Sequence, residues 1–268
     1  GISKPVIRGL GYNRVVIVND GVRQEGQQWG DEHGIEIDEA SVSKVEILKG
    51  PASLIYGSDA MAGVINFISN IPVAEGTVKG NILSNWQSNN NLFSINGNIA
   101  GNQKGFNWNT YISSKNAGSY KNKYDGRVLN SGFDELNFGG YMGINKSWGY
   151  SHLVFSRFNQ KIGLIEGNRD DNTGKFILYP DSPLEHIATD EELEAKELLI
   201  PRQHIVHTKI VSDNNFSVGK NRLKLNLGFQ NNQRSVFGNP EDKKEKELSF
   251  NLNTANYNVQ WSFAEKNE

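Results

Sequence analysis

The sequence contains no cysteine and few prolines, and the first absence removes several kinds of chemistry. Its 268 residues include 0 Cys and 7 Pro, which excludes disulfide bonds, thiolate metal sites and cysteine nucleophiles. The cellular compartment stays open, because oxidising and reducing compartments both tolerate a lack of cysteine. With proline modest and Gly and Asn abundant, the composition favours a protein rich in β-structure.

Clustered positive charge and long apolar runs are missing as well. The formal net charge is −2 and no run of Lys or Arg occurs, which argues against an electrostatic nucleic-acid binder. The apolar runs fall well short of the roughly 20 residues that a transmembrane helix needs, although alternating barrel strands are compatible with low hydropathy. The chain starts at Gly1 in the middle of a pattern, without Met or a signal peptide, which predicts a fragment of a longer protein.

Residues 1–72 contain short, mixed elements. Arg14 to Val22 reads as a strand followed by a turn. A helical turn capped by Asp38 is expected to lead into a strand from Val45 to Leu48. A Gly-Pro break, a second helical turn and a last strand from Gly63 to Ser69 follow. This pattern predicts a compact α+β segment.

After residue 72 the apolar residues alternate with polar ones, which is the period of β-strands. The parity of the apolar residues shifts within the last segment, and this shift predicts a bulge near Thr254 to Asn256. Eight strands are predicted, at Val78 to Trp86, Phe93 to Ile99, Phe106 to Ile112, Leu136 to Ile144, His152 to Phe158, Ile205 to Ser212, Leu223 to Phe229 and Leu248 to Phe263.

The predicted connections alternate between short and long. "GNQKG", "NKSWG" and "DNNFSVGKN" are short, whereas the links around residues 116–133, 160–202 and 231–247 are long. Outer-membrane barrels show this asymmetry, with short periplasmic turns and long extracellular loops. The second region is therefore predicted to be part of a membrane β-barrel.

The stretch "VEILKGPASLIYGSDAMAGVINFIS" (45–69) and the earlier "PVIRGLGYNRVVIVNDGVR" resemble the plug domain of TonB-dependent outer-membrane receptors. Asp59 departs from the family's usual small residue, and Asn70 from its usual basic residue. The residues that match the family's plug motif are Arg8, Gly9, Glu46, Lys49, Gly50, Pro51, Tyr56, Gly57, Gly63 and Asn66. These residues are expected to maintain the shape of the plug, and Glu46 and Lys49 to pair with charges on the barrel wall.

The resemblance implies an antiparallel membrane β-barrel with an N-terminal α+β plug domain, both partial. Residues 1–72 would be the C-terminal part of the plug, and residues 73–268 the first strands, about eight, of a barrel of about 22. It further implies energy-coupled uptake across the outer membrane of a Gram-negative bacterium, driven by the TonB-ExbB-ExbD complex through a segment missing from this chain. Outer-membrane lipid would surround the barrel.

Neither enzymatic activity nor a cofactor is expected, because no motif places a nucleophile beside a base. The nutrient is expected to be a scarce iron–siderophore, haem or other metal complex. A free metal ion or cobalamin comes next, and a glycan or peptide after these. A passive porin or structural barrel is the alternative function, but such a barrel has no reason to carry the plug motif.

The leading ligand-site candidate is the polar plug loop from Arg23 to Gly34. Carboxylate and imidazole groups in it suit a metal ion or chelate, with Asp31 and His33 as the metal-binding candidates. Trp29 and the glutamines are suited to stacking on, or hydrogen bonding to, an organic ligand. A solvated loop against the barrel wall is the alternative. The candidate residues are Gln24, Gln27, Gln28, Trp29, Asp31, Glu32 and His33.

The second candidate lies in the long loop between the fifth and sixth predicted strands, where Glu185 and His186 open an acidic stretch. The same stretch also reads as an ordinary solvated helix that begins at Thr189 or Asp190. His204 and His207 lie three residues apart on a predicted strand. They are therefore expected to point to opposite faces of the sheet and not to share a metal.

Overall fold

The computed structural model describes residues 4–26, 34–69 and 71–264, and two β-sheets contain most of its regular structure. One sheet has four strands and the other has eight. Two short ladders of two strands each lie in the long connections. Within these ranges, no helix is both long and apolar enough to cross a membrane.

The small sheet has the strand order β2-β1-β4-β3. β1 and β4 are parallel, and the outer pairs are antiparallel. Both faces of β1 are buried, since Val16 and Val18 pack with Val64 on one side while Val15 and Ile17 lie in a second apolar cluster. The strands are β1 (Val15–Asn19), β2 (Val22–Arg23), β3 (Lys44–Leu48) and β4 (Gly63–Ile68).

Three 3-10 turns, Tyr12–Arg14, Glu39–Ser41 and Gly50–Tyr56, complete this region. The predicted cap is confirmed, because the Asp38 side chain accepts a hydrogen bond from the Ala40 amide at 3.3 Å. Gly63 has a φ of +144°, and a Cβ there would lie 2.6 Å from the Leu48 carbonyl oxygen. Only glycine fits this close approach of the chain to β3.

The large sheet is antiparallel throughout its eight strands, in the order β16-β15-β14-β11-β10-β7-β6-β5. Every strand predicted after residue 72 is confirmed. The elements are β5 (Thr77–Gln87), β6 (Leu92–Gln103), β7 (Phe106–Ala117), β8 (Lys121–Asn122), β9 (Gly126–Arg127), β10 (Phe133–Lys146), β11 (Gly149–Gly163), β12 (Ile177–Leu178), β13 (His186–Ile187), α1 (Asp190–Glu194), β14 (Arg202–Val218), β15 (Asn221–Phe237) and β16 (Leu248–Ser262).

The predicted bulge in the last strand is wrong. β15 and β16 pair without interruption, through the whole of 254–256. The parity shift has another cause: Leu252 is half-buried on one face of β16, whereas Tyr257 and Val259 are exposed on the other. The apolar residues change from one face of the strand to the other while the backbone stays regular.

All six predicted connections are shorter in the structure, and the difference is largest for two whose polar residues belong to strands. The segment "DNNFSV" belongs to β14, and "NNQRSVF" belongs to β15. The connections at 104–105, 147–148 and 219–220 are consequently tight turns, and 118–132, 164–201 and 238–247 are the long loops. The long loops all leave one edge of the sheet, here called the long-loop edge. The connection at 88–91 is also at this edge but is short.

The two faces of the large sheet differ. The inner face lies against the small sheet and carries mainly polar side chains, such as Asn226, Gln230 and Asn232. The outer face exposes apolar side chains over most of its width. Those that are exposed include Val78, Ile82, Trp86, Phe93, Ile95, Ile99, Phe106, Ile112, Leu136, Phe138, Met142, Ile144, Leu153, Ile210, Leu227, Phe229, Tyr257, Val259 and Trp261. Apolar-out, polar-in alternation is the pattern of a transmembrane barrel wall.

Candidate functional site

The first contact between the small sheet and the inner face is a buried ion pair. Asp20 lies in the turn between β1 and β2, and its Oδ2 is 2.6 Å from Lys209 Nζ on β14. The exposed fractions of the two side chains are only 1% and 3%. The Asp20 carboxylate also accepts the Ser69 amide hydrogen bond at 2.7 Å, at the end of β4. One carboxylate therefore joins the β1–β2 turn, the end of β4 and the large sheet, here called the wall.

A second buried cluster surrounds Glu36. Its Oε1 is 2.8 Å from the Arg234 guanidinium and its Oε2 is 3.1 Å from His207 Nδ1. Asn232 donates a short hydrogen bond to the same carboxylate. Arg234 also donates to Gln203 Oε1 at 2.6 Å. Every partner of Glu36 named here belongs to β14 or β15, so this carboxylate fixes its segment to two neighbouring wall strands.

A third cluster joins the Asp38 turn to β7. Lys115 Nζ lies 2.5 Å from Glu39 and 3.5 Å from Asp38, and 3.1 Å from Glu135 on β10. Ser113 donates a short hydrogen bond to Asp38. Burial raises the pKa of Asp38 despite these partners. Burial also acts to raise the pKa of Glu39, but the hydrogen bond and charge of Lys115 outweigh it and lower that pKa.

Gln24 is the one member of the predicted plug-loop site that the structure describes. Its side chain is fully buried, and its Nε2 lies 3.3 Å from His207 Nδ1. It therefore faces the wall at the same point as Glu36. The other predicted members, Gln27, Gln28, Trp29, Asp31, Glu32 and His33, lie outside the described residues.

The residues on either side of that segment are held near the long-loop edge. Gln24 and Glu36 share His207, and Glu36 also contacts Arg234, close to the end of β15. The chain thus leaves and rejoins the described part of the small sheet on the side from which the long loops extend.

The predicted loop residues Glu185 and His186 hold the local conformation of their loop. Glu185 accepts the Asp181 amide at 2.8 Å. His186 Nδ1 lies 2.8 Å from the Leu184 carbonyl, and its Nε2 lies 2.9 Å from Glu192. Its hydrogen bonds with the Leu184 carbonyl and with Glu192 raise the pKa of His186. Across 4–26, 34–69 and 71–264, no group of three or more His, Asp or Glu side chains is arranged to hold a metal ion.

The interpretation of this stretch as a capped helix is confirmed, although the helix is short. Thr189 caps the helix Asp190–Glu194, and its own amide donates to the Glu192 carboxylate at 2.8 Å. This reciprocal pair is a capping box. The helix ends at Glu194 because the Ala195 backbone is extended.

The two long loops 118–132 and 164–201 pack together around an apolar cluster. Asn130 joins them, because its side chain donates to the Pro201 carbonyl at 2.7 Å and accepts from the Leu199 amide at 3.1 Å. The cluster consists of Val128, Leu129, Phe176, Leu178 and Ala188, with Tyr179, Leu193 and Leu199 packed against it. These loops therefore form one folded unit above the long-loop edge.

His204 and His207 lie on opposite faces of β14, as predicted. His207 contacts Glu36 on the inner face, whereas His204 Nε2 lies 2.8 Å from Asn159 on the outer face. A metal ion cannot bridge them.

The predicted motif residues mostly contact one another within the small sheet. Glu46 pairs with Lys44 on its own strand at 2.6 Å and lies 3.4 Å from Asn66. The charge of Lys224 on β15 also acts on Glu46, although the two form no close ion pair. Lys49 forms no ion pair with the described residues. Asp59 has a specific partner, since its carboxylate lies 2.5 Å from the Arg23 guanidinium.

The remaining motif positions shape the backbone. Arg8 and Gly9 have positive φ values of 52° and 78° and form the turn bridged by Ile7 and Leu10. Gly50 and Gly57, with φ values of 76° and 101°, bracket the turn that Pro51 begins. Burial raises the pKa of Tyr56, which packs against the core of this sheet.

Comparison with known proteins identifies the small sheet. Residues 1–64 match the family model of the TonB-dependent Receptor Plug Domain. The chain carries a TonB-dependent receptor plug domain followed by barrel strands. The hemin receptor of Yersinia pestis is 45% identical over 62 residues, which are 23% of this chain and 9% of that protein. The vitamin B12 transporter BtuB of Vibrio vulnificus is 41% identical over 73 residues, which are 27% and 12%.

The fold of the whole chain is also similar to that of solved receptors. The crystal structure of the siderophore receptor PirA from Acinetobacter baumannii matches with a TM-score of 0.63 at 15% sequence identity, covering 95% of this chain and 38% of that one. The chain thus spans well under two thirds of the length of each of these relatives. The small sheet is the plug, and the large sheet is part of the barrel wall.

Sequence reasoning missed the plug–wall clusters. The residues concerned are Asp20, Glu36, Lys115, Lys209 and Arg234. A signal was present, because Lys209 and Arg234 occupy the inward parity of their strands, where full charges are expensive unless paired. The partner of each was not visible in the sequence, since the pairs are separated by 189 and 198 residues.

Proposed function

We propose that this chain is the plug and adjoining wall of an outer-membrane receptor that takes up a scarce nutrient with energy from the TonB-ExbB-ExbD complex. The observation that carries the proposal is the polar plug–wall interface. Asp20, Glu36 and Asp38 meet the wall through ion pairs and hydrogen bonds rather than through a large apolar core. Water can replace such contacts when a plug moves, whereas an apolar core resists separation.

We place the boundary between the two domains at residue 72, with the plug in 1–72 and the wall in 73–268. The last plug strand ends at Ile68, and the first wall strand begins at Thr77. The exposed apolar outer face belongs in the outer membrane of a Gram-negative bacterium. The presence of the plug argues against a passive porin, and transport of this kind needs neither a catalytic group nor a cofactor.

The nutrient we favour is a metal complex, such as an iron–siderophore or haem. The hemin receptor and the vitamin B12 transporter match part of this chain at similar identities, 45% and 41%, so a free metal ion, cobalamin or a glycan follows as an alternative. The proposed site combines Gln24 to His33 with the long loops that carry Glu185 and His186. The anchoring of Gln24 and Glu36 near the long-loop edge supports this position.

Calorimetry on the full-length parent receptor in detergent tests the site. Ferric siderophores, haem, cobalamin and Zn²⁺ would each be titrated into the wild type and into the triple variant Asp31→Ala, Glu32→Ala, His33→Ala. We expect tight binding of one ligand and its loss in the variant. The control is Glu241→Ala with Asp242→Ala, on another long loop. Unchanged binding in the triple variant would move the site to the long loops.

Uptake by whole cells tests the coupling. A strain without TonB is expected to bind the ligand at its surface and to accumulate none inside. Equal accumulation with and without TonB would support the passive barrel instead.

A further inference from the structure

The outer face of the wall changes character toward the long-loop edge. Phe155, Ile210 and Phe229 lie side by side in one cross-strand row of exposed or half-buried apolar side chains. In the next row Arg157 lies beside Thr208, and two rows further Lys161 lies beside His204. These positions keep the parity of Phe155 and Ile210, so they share the outer face. Going up β11 and β14, an apolar surface becomes a basic one.

A groove of about 470 Å³ opens at this level. Lys161, His204 and Arg202 line it from the strands, and Lys196 lines it from the long loop 164–201. Phe237, at the end of β15, gives it an apolar wall. The groove lies on the opposite side of the sheet from the plug, so a nutrient that passes through the barrel does not meet it.

Positive charge exceeds negative charge around the groove. Lys161, Lys196 and Arg202 line it, and the charges of Arg157 and Lys246 also reach His204. Two acids, Asp134 and Glu197, line it as well. The lining itself therefore has three cations against two acids, and Arg157 and Lys246 nearby add further positive charge.

The cations differ in how they are held. Arg202 is fixed, because it donates to the carbonyls of Leu198 and Lys243 at 3.2 and 3.1 Å and lies over the Phe237 ring, 5.3 Å from its centroid. Within the part of the chain that the structure describes, Lys161 and Lys196 form neither an ion pair nor a side-chain hydrogen bond. The groove therefore combines one immobilised guanidinium with two ammonium groups free to meet an anion.

We propose that this basic groove, with Lys161, Lys196, Arg202 and His204 in its lining, binds the phosphate groups of phosphorylated lipid in the outer leaflet. Three features favour lipid over a soluble anion. The groove is on the outer face, and it is at the long-loop edge, which faces the outside in such barrels. The apolar row of Phe155 and Ile210, which suits acyl chains, lies on the same face three rows below the row of Lys161 and His204. Basic side chains beside a membrane attract anionic headgroups. The inference rests on the membrane placement of the wall in the proposed function and is independent of the nutrient.

The experiment uses the full-length receptor reconstituted in phosphatidylcholine nanodiscs that contain lipid A or its dephosphorylated form. Lipid bound after washing would be quantified by mass spectrometry for the wild type and for Lys161→Gln with Lys196→Gln. We expect the wild type to retain the phosphorylated lipid preferentially, and the variant to lose roughly tenfold or more of this affinity. The control variant, Lys104→Gln with Lys220→Gln, removes the same charge at the short turns and is expected to retain lipid normally.

Equal retention by the wild type and the groove variant would overturn the proposal, as would equal retention of phosphorylated and dephosphorylated lipid. Displacement of the lipid by inorganic phosphate at low concentration would identify a soluble-anion site instead. Calorimetry of the nutrient on the same preparations separates this test from the proposed transport. Loss of lipid binding with normal nutrient binding supports the groove, and failure of nutrient binding in the wild type contradicts the proposed nutrient alone.

Discussion

The same strands form both faces of the wall, but the two faces meet different surroundings. On β15, Leu227 and Phe229 are exposed on the outer face, while Asn226 and Gln230, which flank them in the sequence, are buried against the plug. The usual rule of globular proteins, apolar inside and polar outside, is inverted. The comparison shows that the strand period alone positions each residue, and that the medium on each side selects its chemistry.

The inner face also shows how a polar interface holds a plug. Its buried charges are paired across the boundary, since Asp20 and Glu36 come from the plug while Lys209 and Arg234 come from the wall. Neither half of such a pair tolerates burial alone. The interface is therefore specific for one seating of the plug, although a paired charge adds little net stability compared with apolar packing.

The largest effect is expected at Glu36, the plug carboxylate that is buried against the inner face of the wall. Glu36→Ala leaves Arg234 and His207 buried without their carboxylate, at a cost of about 3–5 kcal/mol in plug docking. Hydrogen exchange of the β1 amides in the full-length receptor would measure this cost, and the amides should lose protection. The control is Glu39→Gln, because the Glu39 side chain is 74% exposed and should cost under about 1 kcal/mol.

A double variant sharpens this test. We attribute the cost to the Arg234 guanidinium once the Glu36 carboxylate is gone. In that case, Glu36→Met combined with Arg234→Met should recover much of the protection that Glu36→Ala loses. Protection that falls further in the double variant would mean that packing, and not charge, holds this part of the plug.

The next effect concerns the outer face. Leu227→Arg places a charge in the apolar surface and should destabilise the barrel by about 2–4 kcal/mol if this position lies near the bilayer midplane. Urea unfolding in lipid vesicles measures the change. The matched control is Ser235→Arg, on the same face of β15 but beside the basic groove, where the cost should be much smaller. Equal costs at the two positions would contradict the assignment of the apolar surface to lipid.

A similar effect is expected at Asp20. Asp20→Asn removes the charge opposite Lys209. It keeps the shape of the side chain and an oxygen that accepts from the Ser69 amide. Asn also tolerates the φ of +54° at this position. The expected loss in plug docking is about 3 kcal/mol, at the lower end of the range for a buried ion that loses its partner. Protection of the β4 amides reports it. Asp170→Asn, in a long loop, should leave this protection unchanged.

The strand period made most of the fold predictable. The eight wall strands follow from alternation, and the Asp38 turn follows from capping chemistry. Residues 213–218 of β14 and 231–237 of β15 were missed because polar residues occupy both of their faces, which removes the alternation. The bulge at 254–256 was wrongly predicted because apolar residues that change faces along a regular strand imitate a change of register.

The candidate site was less predictable than the fold. Polar loops such as the one with Gln24 are easily found in a sequence, but which of their residues face the wall depends on partners far away, such as His207. The imidazole of His186 made it a ligand candidate, but its contacts with Leu184 and Glu192 could not be read from the sequence. Local chemistry suggests a role, whereas tertiary contacts decide it.

The smallest effect is expected at His186, in the long loop 164–201 outside the large sheet. The pKa of His186 is raised by the Leu184 carbonyl and by Glu192, so the charged imidazole stabilises the folded loop. This stability is fully present below the ordinary histidine pKa of about 6.5 and is lost as the pH rises through the raised value. Because both side chains are partly exposed, the contribution should stay under about 1 kcal/mol.

An NMR titration of the His186 imidazole measures this shift directly. Glu192→Gln should lower the apparent pKa toward its ordinary value, because it removes the carboxylate 2.9 Å from Nε2. Glu191→Gln is the matched control, since that acid lies on the same short helix and has no contact with His186. If both variants lower the pKa equally, the shift arises from the general acidity of the loop and the specific pair contributes nothing of its own.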